Sequence, residues 1–178
     1  MGDYMYDYVL QYGFDINSRK TIQGIKDYLK RNGVEDKERK WLPHITIDLY
    51  NCKNQNEFIK KIDNIVSNIN SFELNLKNLN DFNKETLYIE PFNKKELLDL
   101  KLLFNEKLDD YRLDNRIIRT YMPHITLCTN DNIDDSIYTL AKQKFNPFLA
   151  KVKYIWIYNQ QMELIKEYDL ENSNKVRE

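Results

Sequence analysis

Hydrophobic and polar positions along the chain switch repeatedly between two periods. From Tyr4 to Phe14 the β-formers Tyr4, Tyr6, Tyr8 and Tyr12 recur at even spacing among Val and Leu, which predicts a strand ending near Gly13. Ser18 to Arg31 places Ile22, Ile25, Tyr28 and Leu29 at helical spacing, with Gly33 as a stop. Glu35 to Lys40 is charged and reads as a solvated loop. Leu42 to Tyr50 alternates again, with Ile45, Ile47 and Leu49 on one face. Asn54, followed three residues later by Glu57, imitates a capping box ahead of the helical face Phe58, Ile59, Ile62, Ile65, Val66 and Ile69. Phe72, Leu74, Leu76 and Leu79 predict a further strand.

The second half follows the same plan. Thr86 to Ile89 reads as a strand, Lys94 to Asp109 as a Leu-rich helix behind Asn93, and Met122 to Cys128 as a strand. Ile133, Ile137, Leu140 and Ala141 mark a helix, and Phe148 to Tyr158 and Met162 to Leu170 predict two closing strands joined by a turn near Asn159 and Gln160. The order β-α-β-α-β, given twice with one extra strand, predicts an α+β domain of two similar halves. A length of 178 residues fits one domain over 1–178, with a tail at 173–178 that frays.

The halves share more than periodicity. The chain has two histidines, 80 residues apart, in matching contexts: Trp41-Leu42-Pro43-His44-Ile45-Thr46-Ile47 and Tyr121-Met122-Pro123-His124-Ile125-Thr126-Leu127. In each copy a proline introduces a strand, and alternation puts His and Thr on one face with the aliphatic partners on the other. A single copy reads as an ordinary half-exposed strand; the duplication reverses that reading, because an unselected surface has no reason to repeat it. Transfer at a phosphodiester needs a base for the attacking oxygen and an acid for the departing one, on opposite sides of phosphorus. Two imidazoles fill those roles near neutral pH, and two threonine hydroxyls donate to the non-bridging oxygens, where charge grows.

These paired H-x-T motifs resemble the signature of the 2H phosphoesterase superfamily, which includes bacterial 2′-5′ RNA ligase-like proteins and cyclic phosphodiesterases. The likeness extends over the opening strand, Phe72-Glu73-Leu74, Leu87-Tyr88-Ile89 and Tyr154-Ile155-Trp156-Ile157-Tyr158. It implies a bilobal, pseudo-two-fold fold with two antiparallel sheets flanked by helices around a central cleft. It also implies a phosphodiesterase that needs no metal or other cofactor and acts on 2′,3′-cyclic phosphates or 2′-5′-linked nucleotides. By motif position, His44 and His124 become the acid/base pair and Thr46 and Thr126 the phosphate ligands, with base and acid left unassigned. Ligation is the reverse direction of the same chemistry. One departure is Leu79-Asn80-Asp81-Phe82, where many members carry a glycine turn; Asn80 tolerates left-handed backbone there.

Composition narrows the partners. Lys plus Arg is 27 against 28 Asp plus Glu, which gives no global attraction to a long polyanion and favours a small nucleotide or an RNA end. Cyclic di- or oligonucleotide messengers are an alternative substrate for the same site, and a nucleotide-binding module without turnover is the alternative outside enzymes. Cys52 and Cys128 read as free thiols. Cys128 lies roughly 13 Å along the strand from His124, too far to share a zinc ion. Among the basic residues ahead of each motif (Lys37, Arg39 and Lys40; Arg112, Arg116 and Arg119), Arg119 is the candidate phosphate ligand. Tyr12 and Tyr158, at strand ends, are candidates to stack a base. No apolar run approaches the roughly 20 residues that span a bilayer, so the expectation is a cytoplasmic monomer without membrane contact or obligate protein partner.

Overall fold

A computed structural model describes residues 6–37, 41–113 and 121–172. In chain order its elements are β1 (Tyr8–Phe14), α1 (Ile16–Arg31), β2 (His44–Tyr50), α2 (Gln55–Val66), β3 (Phe72–Phe82), β4 (Thr86–Pro91), α3 (Lys95–Lys107), a 3-10 turn (Asp109–Tyr111), β5 (Ile125–Thr129), α4 (Asp135–Lys144), β6 (Phe148–Asn159) and β7 (Leu164–Asp169). The α+β order is the one read from the sequence. Tyr4 and the expected tail at 173–178 lie outside the described residues.

Helix starts follow local chemistry. The Asp15 side chain accepts from Ser18 N at 2.9 Å and caps α1, and Asn54 accepts from Glu57 N at 3.3 Å and caps α2. Asn93 does not cap α3: its side chain accepts from Asn75 N and donates to Glu73 O, so it pins the helix approach to β3 instead.

All strand pairs are antiparallel, and the two expected half-sheets join into one seven-stranded sheet ordered β2-β1-β6-β3-β4-β5, with β7 also on β6. The join is β6, whose first part pairs with β3 (Leu74 with Ala150) while the rest pairs with β1 (Tyr12 with Ile155). The β3–β4 hairpin turns three residues later than expected, at Asn83 and not Asn80. Asn83 and Lys84 carry φ of 52° and 57°, Glu85 N donates to Phe82 O, and Asp81 accepts from Lys84 N, while Asn80 remains within β3.

Leu10, Tyr12 and Phe14 of β1, Ile45 and Ile47 of β2, Ile155 and Ile157 of β6 and Leu87 and Ile89 of β4 form one buried cluster with Ile22 and Ile25 of α1, Phe58 and Ile62 of α2, Leu97 and Phe104 of α3 and Ala141 of α4. Burying this face fixes the register, because a one-residue slip would send His44 and Thr46 into the core. β2, which begins at His44, and β5, which begins one residue after His124, are the outer strands of the β2-to-β5 path, and they come into contact, so the sheet curls until its two motif-bearing edges meet.

Candidate active site

The two motifs fold alike. From Trp41 to Asp48 and from Tyr121 to Cys128 the burial pattern is identical position by position, with both prolines and the aliphatic partners buried and His44, Thr46, His124 and Thr126 partly open. His44 Nδ1 lies 2.8 Å from the Leu42 carbonyl, and His124 Nδ1 lies 2.8 Å from the Met122 carbonyl. A carbonyl only accepts, so Nδ1 carries the proton in both rings and each Nε2 keeps its lone pair when neutral. Neither threonine hydroxyl is engaged by another side chain or backbone group among the described residues.

The motifs are also close enough to sense one another. Burial pushes the His44 imidazole down to about 4, and the charges of Lys26 and His124 act in the same direction against the favourable bond to the Leu42 carbonyl. His124 is lowered by burial, opposed by its bond to Met122. A small pocket is lined by Lys26, Trp41, Leu42, Pro43, His44 and Thr126, so residues of both motifs share it.

Backbone carbonyls on the motif strands are held from the opposite half. Tyr121 donates its hydroxyl to Thr46 O at 3.0 Å, and Lys26 of α1 donates to Thr126 O at 3.4 Å while lying 3.7 Å from Asp36. Lys101 of α3 donates to Ile47 O at 2.9 Å and forms an ion pair with Asp48, which is 1% exposed; its ammonium also lies 5.3 Å from the Tyr121 ring. The position equivalent to Asp48 in the second half is Cys128, so the buried ion pair breaks the pseudo-symmetry.

Aromatic rings flank each imidazole. Trp41 lies 5.9 Å from His44, and Phe82 and Tyr88 lie 4.8 and 5.3 Å from His124, all edge-on. Tyr158, a stacking candidate from the sequence, sits 5.0 Å from Trp41. Tyr12 does not serve that role: it is 0% exposed, faces the core, and meets Phe72 edge-on. Its strand is buried on both faces from Val9 to Phe14, so alternation alone did not say that Tyr12 is covered. Arg119, with Arg39, Lys40 and Arg116, lies outside the described residues. Lys37 pairs with Asp131, and Arg112 with Asp109 at 3.3 Å.

Sequence reading missed Lys26, Trp41, Phe82, Tyr88 and Tyr121. Trp41 and Tyr121 occupy equivalent places in the repeated motif, which was an available signal; Lys26 is one of many helix lysines and carried none. Among the described residues no group of three or more His, Cys, Asp or Glu could hold a metal ion, and no helix is long and apolar enough to cross a membrane.

Comparisons with known proteins agree with this architecture. The structure is similar to Escherichia coli LigT complexed with 3′-AMP (TM-score 0.63, 12% identity, 93% of this chain and 98% of that one) and to apo LigT (0.64, 12%, 92% and 96%). It is similar to the Thermus thermophilus protein TT0787 as well (0.66, 10%, 93% and 98%). No curated protein sequence matches significantly. Residues 14–162 match the family model for the 2′-5′ RNA ligase superfamily, a span that includes both H-x-T strands, and the chain therefore belongs to that superfamily of 2H phosphoesterases.

Proposed function

We propose that the protein is a metal-independent phosphodiesterase acting on 2′,3′-cyclic phosphate or 2′-5′-linked nucleotides through His44 and His124. The observation that carries this reading is the matched pair of imidazoles, each with Nδ1 committed to a carbonyl, on two strand edges that meet. A scissile phosphodiester between them has an Nε2 on either side, as in-line displacement requires. His44, kept neutral by burial and by the neighbouring Lys26 and His124, is the base that takes the proton from the attacking oxygen. His124 in its protonated form gives a proton to the departing oxygen, so one proton is taken and one returned in each turnover. Thr46 and Thr126 donate to the non-bridging oxygens, and Lys26 supplies a positive charge on the same side.

Trp41 and Tyr158 on one flank and Phe82 on the other offer partly exposed ring surfaces, with Tyr88 buried behind Phe82, which supports a nucleotide ligand. The similar LigT structure carrying 3′-AMP supports the same class. The test is product formation from 2′,3′-cyclic mononucleotides, 2′-5′ and 3′-5′ dinucleotides and cyclic dinucleotides, by wild type, His44→Ala and His124→Ala, with and without EDTA. Turnover that survives EDTA and disappears in both variants is the expected result. Full activity in either variant refutes the two-histidine mechanism. Loss to EDTA refutes metal independence, and binding without product replaces the enzyme reading with that of a nucleotide-binding module.

A further inference from the structure

The row of packed aromatic rings beside His44 continues along β6. Trp41 meets Tyr158, Tyr158 lies 6.2 Å from Trp156, and Trp156 stacks with Tyr154 at 5.9 Å and 11°. Gly13, paired with His44 on one side and Tyr154 on the other, makes room for this row: a Cβ there would fall 2.5 Å from the Trp156 ring.

Arg19, in the first turn of α1, closes the far end. Its guanidinium lies 5.8 Å from the centroids of both Tyr154 and Trp156. Arg19 Nε is buried and meets no acceptor. Among the described residues no carboxylate pairs with this guanidinium. The neighbouring acids are committed elsewhere, Glu167 accepting from Trp156 Nε1 at 2.7 Å and Asp15 capping α1 through Ser18 N. A buried cationic donor without an acceptor is costly unless a ligand completes it. Held against two π faces, a guanidinium keeps its in-plane N–H groups for an oxyanion, which it binds as a fork.

Arg19 also shares a side of α1 with Lys26. The two are seven residues apart, which is two turns and about 10 Å along the axis. Lys26 is at the candidate reaction centre, beside His44 and Thr126. The helix thus sets one cation at the candidate scissile phosphate and a second further out, at the end of a row of rings.

We propose that Arg19, stacked on Tyr154 and Trp156, forms a second phosphate subsite that takes a phosphate group flanking the scissile one. The inference rests on the proposed phosphodiesterase reading and deepens it, because the preferred substrate becomes a nucleotide chain with at least one further phosphate. A nucleoside in between meets the partly exposed rings of Tyr158 and Tyr154, while Trp156, 1% exposed, supports them from beneath.

The experiment compares dinucleotides of the linkage that wild type cleaves, unphosphorylated, 5′-phosphorylated and 3′-phosphorylated. Wild type should prefer one phosphorylated form by about ten- to hundredfold in kcat/KM, as expected for a charge-assisted contact. That ratio should fall to about one in Arg19→Gln and stay intermediate in Arg19→Lys, which keeps the charge and loses the fork. Because each variant is its own reference, a general loss of fold or activity does not move the ratio. A wild-type ratio of about one, or an unchanged ratio in Arg19→Gln, overturns the subsite. If no dinucleotide is cleaved, the reaction reading fails by itself, and the same ligands are titrated against His44→Ala and His44→Ala/Arg19→Gln by tryptophan fluorescence. A binding preference lost in the double variant upholds the subsite without the reaction, and its absence or its persistence overturns the subsite.

Discussion

Lys26 donates from α1 of the first half to the carbonyl of Thr126 on β5 of the second, 3.4 Å away. Its counterpart runs the other way, from the Tyr121 hydroxyl of the second half to the carbonyl of Thr46 on β2. Each H-x-T strand lies at an open edge of the sheet path, where outward carbonyls have no strand partner, and each is held by a side chain from the opposite half. The spacing of the two imidazoles is therefore set by contacts between halves.

Tyr121→Phe removes one of these ties and little else. Stability should fall by about 1 kcal/mol, the net worth of one hydrogen bond. Turnover should fall by more than that loss implies, because misplacing one imidazole by an ångström costs about 10²-fold. Thermal melts and kcat on one substrate check both, and a kcat equal to wild type would refute the tie as a positioning contact.

The pH profile of kcat/KM should be a bell displaced to the acid side. His44 loses its basic form only as pH falls through about 4, so the acid limb lies there. His124 loses its proton as pH rises through a value that burial holds below the ordinary 6.5, so the alkaline limb lies below 6.5. The free enzyme's profile reports these two groups together. Replacing either histidine with Ala should cost about 10²–10⁴-fold.

Lys26→Met removes a positive charge beside His44, so the His44 imidazole rises and the acid limb of kcat/KM moves upward. Turnover should fall about ten- to hundredfold through loss of charge at the phosphate. An unmoved limb in a variant that still folds would show that Lys26 does not act on His44.

Lys101→Met leaves Asp48, 1% exposed, without its cation. Breaking a buried pair from one side costs about 3–5 kcal/mol. Asp48→Leu/Lys101→Met removes both charges and should recover most of that loss in a denaturant titration.

Gly13→Ala drives a methyl into the indole of Trp156, whose ring atoms lie at 2.5–2.7 Å from an ideal Cβ. Overpacking of this kind costs about 1–3 kcal/mol. Displacement of Trp156 should change tryptophan emission and, through Tyr158 and Trp41, lower kcat/KM. The double variant Gly13→Ala/Trp156→Leu should regain stability.

Element order and the pair of H-x-T strands were legible in the chain alone, because both rest on local information. The repeated Pro-His-Ile-Thr run and a period-two pattern with one apolar face leave one register that buries Ile45, Ile47, Ile125 and Leu127 while keeping His and Thr open. Whatever depends on neighbours distant in the chain was settled by packing. Tyr12 and Tyr158 look equivalent in sequence, yet the core takes Tyr12 and the site's flank takes Tyr158, because β1 is buried on both faces from Val9 to Phe14 while Tyr158 sits near the end of β6 beside Trp41. Pairing of β6 with β3 made one sheet of two expected sheets. Lys26 and Arg19 gained their places from α1, a helix whose lysines and arginines look alike until the curled sheet brings one beside Thr126 and the other onto Trp156. Local periodicity fixes which residues share a face; only long-range packing fixes what that face meets.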